Sequence, residues 1–240
     1  MRNAAGFALI ELMVVIVVIA ALASMLLPAL SRAKGRSPRI SCVNYLKQIG
    51  IAYRVWDNDN GDLYPAQQTV SKGGWADLLT NANQGAMCWT NYAIMQNELG
   101  QSPKMLICPA DERQPATNFN TDFKNANISY FVCVSSCDID PQSILGGDRN
   151  LGSGPEPDAD YGFSPQSGKG NDVAIPTNSL VVSWSLKMHS GAGNILLGDG
   201  STQQVTSAGF RQNWLRNANP TTNWPAGHVP PSPSIRVIFP

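Results

Sequence analysis

The chain has 240 residues, 43% hydrophobic and only 14% charged, and its 17 basic and 17 acidic side chains cancel to zero net charge. Balanced charge removes the electrostatic basis for general nucleic-acid binding, and the length allows one large domain or two small ones. The balance hides an asymmetry: residues 1–56 carry seven Lys/Arg against Glu11 alone, so the front is +6 and the remainder −6.

From Phe7 to Leu30 the chain reads FALIELMVVIVVIAALASMLLPAL, apolar except for Glu11, Ser24 and the helix-perturbing Pro28. As a helix, this stretch rises roughly 36 Å, enough to cross a hydrocarbon core of about 30 Å. A buried core helix does not fit a segment that is apolar on every face and sits at the terminus. A cleaved secretory signal could use Ala21-Leu22-Ala23 as its small-x-small site. A retained membrane anchor is the third reading, and Glu11 favours it. A carboxylate deep in an apolar helix is unfavourable by about 2.5–3.5 kcal/mol, so its presence asks for a role.

Gly6-Phe7-Ala8-Leu9-Ile10-Glu11 resembles the processing signal of the prepilin family. That signal is a short basic leader ending in Gly, then Phe, with Glu fifth in the mature chain. Ala8 stands for the usual small residue, and Leu9 for a frequent Thr. The resemblance implies cleavage between Gly6 and Phe7 by a membrane prepilin peptidase, which also N-methylates Phe7. It further implies that Glu11 meets the Phe7 amine of a neighbouring subunit during assembly. Opposite charges in a low dielectric make such a meeting a registry device. The implied partners are homologous pilin or pseudopilin subunits, the peptidase/N-methyltransferase, an inner-membrane assembly platform and the bilayer. The implied topology is a single pass of the inner membrane, N-terminus cytoplasmic and head periplasmic, with a place in an envelope or surface filament. Counting Arg32, Lys34, Arg36 and Arg39 against Arg2 argues for the opposite orientation. The processing motif takes precedence, because large domains translocate largely regardless of charge.

Beyond Pro28 the helix is expected to continue. Cys42, Leu46, Ile49, Tyr53 and Trp56 recur at 4-3-4-3 spacing as one apolar stripe, with Lys47 and Arg54 off it. Asp57-Asn58-Asp59-Asn60-Gly61-Asp62 then ends the helix as a turn, since a calcium loop counted back from Gly61 would begin at Trp56. Helices are expected near Trp75–Leu79 and Asn91–Leu99. Strands are expected at Met105–Cys108, Ser129–Val134, Leu180–Leu186 and Ile235–Phe239, with a long surface loop over 146–178. Asn194–Leu197, Gly198-Asp199-Gly200 and Ser201–Val205 read as a hairpin, followed by a short helix at Gln212–Asn217.

The division is then a leader at 1–6, a transmembrane helix at 7–30, its amphipathic continuation at 31–58 and a head at 59–240. The fold class is α+β: a type IV pilin-like long helix packed on an antiparallel sheet. His189, nine residues, then Asp199-Gly200 resembles the C-terminal H-x9-DG signature of a prepilin-like subgroup, a motif of unknown role. Cys42–Gly50 and Cys108-Pro109-Ala110-Asp111 resemble that subgroup too. His189 is expected to bond a loop carbonyl or the Asp199 turn.

Cys42, Cys88, Cys108, Cys133 and Cys137 show no metal-ligand spacing, so no metal and no cofactor is expected. Outside the cytoplasm they would supply one or two disulfides of unreadable connectivity. No catalytic set accompanies His189, neither a G-x-S-x-G elbow nor an HExxH helix, so a non-enzymatic role is expected. The reading is a structural pseudopilin or minor pilin of a type II secretion or type IV pilus-like filament. The alternative is an anchored periplasmic module whose tryptophans stack on carbohydrate.

Overall fold

The computed structural model describes residues 9–80, 87–154, 160–218 and 234–240, with backbone only at 29, 31–36 and 80. One helix, α1 (Leu9–Asp59), runs through both Pro28 and Pro38. Each proline removes one backbone donor without ending the helix. Leu9–Pro28 is long and apolar enough to cross a membrane, and none of it is buried within the chain.

The second half of α1 is different. Cys42, Leu46, Ile49, Tyr53 and Trp56 are all at most 5% exposed, while Lys47 and Arg54 face outward. Burying each large apolar side chain contributes about 1.5–3 kcal/mol, so this stripe is what fastens the helix to the head. The helix ends where Asp57 accepts the backbone N–H groups of Asn60 and Asp62, with Gly61 and Asp62 in the left-handed region at φ 75° and 57°. That is the solvated turn expected from the sequence.

The head is built on a six-stranded antiparallel sheet. Its strands are β1 (Tyr130–Cys133), β2 (Ile144–Asp148), β4 (Asn171–Pro176), β6 (Ala192–Leu197), β7 (Thr202–Thr206) and β8 (Ser234–Phe239), in the order β4-β8-β1-β2-β6-β7. A separate ribbon pairs β3 (Leu151–Ser153) with β5 (Val182–Trp184). Alternation along the strands divides the core into two layers. Tyr130, Val132, Leu196 and Ile238 face α1 and the helix α2 (Cys88–Ile94). Phe131, Cys133, Ile195, Val237 and Phe239 face the other layer, with Trp184, Phe210 and Leu215. The arrangement is α+β and consistent with a pilin-like fold.

Several local expectations need correction. Met105–Cys108 is not a strand: Pro103, with its fixed φ and missing N–H, opens a 3-10 turn over Pro103–Leu106. The segment 146–178 is not one loop, because it holds the end of β2 and all of β3 and β4. Gly146 and Gly147 sit mid-sheet, where an added Cβ would lie 2.8 Å from the Phe131 carbonyl oxygen and 2.7 Å from that of Asn194. Buried Asp148 ends β2, and buried Arg149 and Asn150 link it to β3, so the polarity of this stretch mimicked a loop.

Smaller shifts affect the helices. The Asn91–Leu99 helix starts earlier, at Cys88, and ends at Ile94. Near Trp75–Leu79 there is a 3-10 turn over Ala76–Thr80. The strand within Leu180–Leu186 is confined to Val182–Trp184, with Leu180 and Leu186 exposed. The helix near Gln212–Asn217 begins as α3 (Ser207–Gly209) and continues as a π-helical stretch over Phe210–Leu215.

Candidate functional site

Two regions carry the motifs. The first is the start of α1. Glu11 lies near the start of the described part of α1. Gly6 and Phe7 lie outside the described residues.

The second is where α1 meets the head. Cys42 of α1 is joined to Cys108 by a disulfide, with Cα atoms 5.2 Å apart across 66 residues of sequence. Cys88, Cys133 and Cys137 are buried thiols. Burial pushes Cys88 up and Cys133 up to about 12, so neither is a thiolate at neutral pH.

His189 sits directly on the disulfide. Its Nε2 is 3.5 Å from Cys108 Sγ and 3.4 Å from Asp148 Oδ2, and the side chain is 2% exposed. The Asp199 turn is elsewhere, so the expected partner of His189 is corrected. Burial, reinforced by the charge of Arg39, pushes the His189 imidazole down to about 4. Burial pushes the Asp148 carboxyl up to about 7, against the opposing donors of Asn194 and the charge of Arg39. At neutral pH the contact therefore involves a neutral imidazole and is not a full ion pair.

Asn194 fixes the carboxylate by donating its backbone N–H and side-chain amide to Asp148 Oδ2 at 2.7 and 2.9 Å. Arg39, half-buried on α1, donates to the Gly193 carbonyl at 3.3 Å. Met188 and Ser190, the neighbours of His189, are both left-handed, at φ 60° and 54°. Non-glycine residues adopt that region at a cost of about 1–3 kcal/mol each, so the loop holds His189 against local preference. A cleft of ≈ 420 Å³ lined by Arg39, Ala110, Met188 and His189 opens beside it.

The other end of the motif is a second fastening point. In the turn Gly198-Asp199-Gly200, the Asp199 carboxylate accepts the Ser201 N–H at 2.8 Å. Gly198 accepts the Tyr64 hydroxyl at 2.8 Å. The turn lies against Gly50 of α1, whose added Cβ would meet Gly200 O at 2.9 Å and Leu196 Cδ1 at 2.8 Å. Arg54, beside Gly200, pairs with Asp138 and, at 3.4 Å, with Asp57. The histidine end of β6 is thus pinned near Cys42 and the Asp-Gly end near Gly50.

A buried polar node supports this frame. Arg149 donates to both oxygens of Asp111 at 2.7 and 2.8 Å, and Ser129 adds a hydroxyl at 2.6 Å. The Arg149 guanidinium also lies 3.5 Å from the centre of the Tyr161 ring. Burial alone would raise the Asp111 carboxyl, but the hydrogen bonds and charge of Arg149, with Ser129, hold it below the ordinary carboxylate value. Asp111 ends the segment Cys108-Pro109-Ala110-Asp111, so that segment serves both the disulfide and the node.

The ligand atoms of Cys42, Cys108 and His189 all lie within 4.8 Å of one another. Reasoning from cysteine spacing missed this cluster, because its members come from α1, a loop and the segment before β6. No spacing in the sequence links the three. Joined to each other, the two sulfurs offer neither a nucleophile nor a thiolate ligand.

Comparison with known proteins bears on the first region. No curated protein and no solved structure matches the chain. Residues 1–27 match the family model for the prokaryotic N-terminal methylation motif, so the chain carries at its start the processing signal of prepilin-type proteins.

Proposed function

We propose that the chain is a structural subunit, a pseudopilin or minor pilin, of a type II secretion or type IV pilus-like filament. The observation that supports this is one of continuity. The methylation motif leads directly into a helix whose first 20 residues bury nothing inside the chain, and the second half of that helix is fastened to the head. An apolar helix left bare by its own fold is suited first to lipid and then to its copies. In this reading the head lies on the periplasmic side, Phe7 becomes the methylated N-terminus, and Glu11 meets the Phe7 amine of a neighbour.

Cross-linking tests the reading. Ile51 is 62% exposed on the outer face of α1, so Ile51→Cys reports stalk-to-stalk contact. The variant should give an oligomer ladder in membrane and sheared surface fractions, and adding Glu11→Ala should abolish the ladder without preventing insertion. An unchanged ladder with Glu11→Ala would remove the registry role.

The carbohydrate-binding alternative gains little from the tryptophans. Trp56, Trp75 and Trp184 are buried, and Trp89 and Trp214 are half-buried against the two core layers. Trp224 lies outside the described residues.

A further inference from the structure

We propose that, once the Cys42–Cys108 disulfide is reduced, the two cysteine sulfurs, His189 Nε2 and the Asp148 carboxylate bind one zinc ion. Zinc takes thiolate, imidazole and carboxylate ligands in tetrahedral geometry, with bonds of about 2.3, 2.0–2.1 and 2.0–2.2 Å. Those bonds place a sulfur and a nitrogen ligand roughly 3.5 Å apart, and a nitrogen and an oxygen ligand roughly 3.3 Å apart. The observed separations are 3.5 Å from Cys108 Sγ to His189 Nε2 and 3.4 Å from His189 Nε2 to Asp148 Oδ2. Two edges of the tetrahedron therefore already exist. Two adjustments remain: the sulfurs must part to roughly 3.8 Å, and the Asp148 carboxylate, which lies outside the group of ligand atoms within 4.8 Å of one another, must move in toward them.

Three further features fit a cation. Asp148 is fully buried, and its Oδ1 has no hydrogen-bond partner among the described residues. Asn194 donates to Oδ2, the same oxygen that faces His189, and so fixes the ligand atom's position, while Oδ1 is left for a second contact with the ion. Finally, two thiolates, one carboxylate, Zn2+ and the nearby Arg39 sum to zero charge. The cleft beside His189 gives the ion a route in.

The chemistry balances with an external dithiol as reductant. The S–S bond breaks, the two sulfurs gain two electrons and two protons, and the dithiol closes to its own disulfide. Zn2+ then displaces the two thiol protons to water. One covalent tie between α1 and the head is exchanged for a coordinate one, so reduction leaves the helix fastened.

The test uses the full chain in detergent, reduced with a phosphine and freed of it under anaerobic conditions. Co2+ is the probe, with Zn2+ as competitor. The reduced chain should bind about one Co2+ with thiolate-to-cobalt charge-transfer and tetrahedral d–d bands, and the oxidised chain should show neither. His189→Ala and Asp148→Asn should each weaken binding by more than about 10–100-fold, the usual cost of losing even a group that only supports a ligand, while Cys88→Ser/Cys133→Ser/Cys137→Ser should leave it unchanged. Alkylation mapping gives a readout independent of any variant: Zn2+ should protect Cys42 and Cys108 in the native reduced chain. Absence of the bands after reduction, equal affinity in His189→Ala, equal affinity in Asp148→Asn, or protection confined to the other cysteines would each overturn the assignment.

Discussion

Gly50 in the long helix and Gly200 in the β6–β7 turn are in such close approach that a Cβ on Gly50 would lie 3.1 Å from Gly200 Cα. The contact gives the Asp-Gly end of H-x9-DG a packing role: it is where the turn meets the helix. Gly50→Ala should lower stability by about 1–3 kcal/mol, the usual cost of forcing atoms into a filled site. Thermal unfolding of the full chain in detergent measures this. A melting curve identical to the parent would show that the turn yields at no cost.

Asp111 and Arg149 form a fully buried bidentate pair, so removing one partner strands the other charge. Asp111→Ala should cost about 3–5 kcal/mol in denaturant unfolding. The pH dependence has a defined sign. The Asp111 carboxyl is held below its ordinary value in the fold, so its contribution is complete above the unfolded value of about 3.9 and is lost as pH falls through the lower folded value. Asp111→Asn should flatten the acid limb of the stability curve, as followed by unfolding at stepped pH.

The cysteines divide into one bonded pair and three buried thiols. Alkylation of the denatured, unreduced chain should therefore label three thiols, and five after reduction. Closing a loop of 66 residues contributes about 4 kcal/mol on the chain-entropy model, so Cys42→Ala/Cys108→Ala should destabilise the chain by about that much when compared without metal. Five labelled thiols before reduction would show that the pair is open in the cell.

The two halves of the molecule were unequally legible in the sequence. Residues 7–59 declare themselves, because a long apolar run broken by little besides Glu11 and then a stripe at Cys42, Leu46, Ile49, Tyr53 and Trp56 leave few folds open. The hairpin around Asp199-Gly200 was equally plain, since only a tight turn needs that dipeptide between two strand-like segments. The centre of the head was not. Asp148, Arg149 and Asn150 are buried in or beside β2 because each has a polar partner 37 to 46 residues away, and periodicity carries no trace of that. The site at His189 was hidden for the same reason. Its partners Cys108 and Asp148 lie 81 and 41 positions earlier, so spacing suggested Asp199 instead.

On the proposed function, this chain is processed as a prepilin and enters a filament through the helix that follows the processing site. N-terminal peptide mass analysis of the chain recovered from membranes and from cross-linked oligomers tests it most directly. Both fractions should yield a first residue of Phe7 carrying an N-methyl group. Replacing Gly6 by Leu should leave the chain in the membrane beginning at Met1 and absent from the oligomers. A mature terminus at Ser24, or oligomers built from chains that retain Met1, would contradict the account.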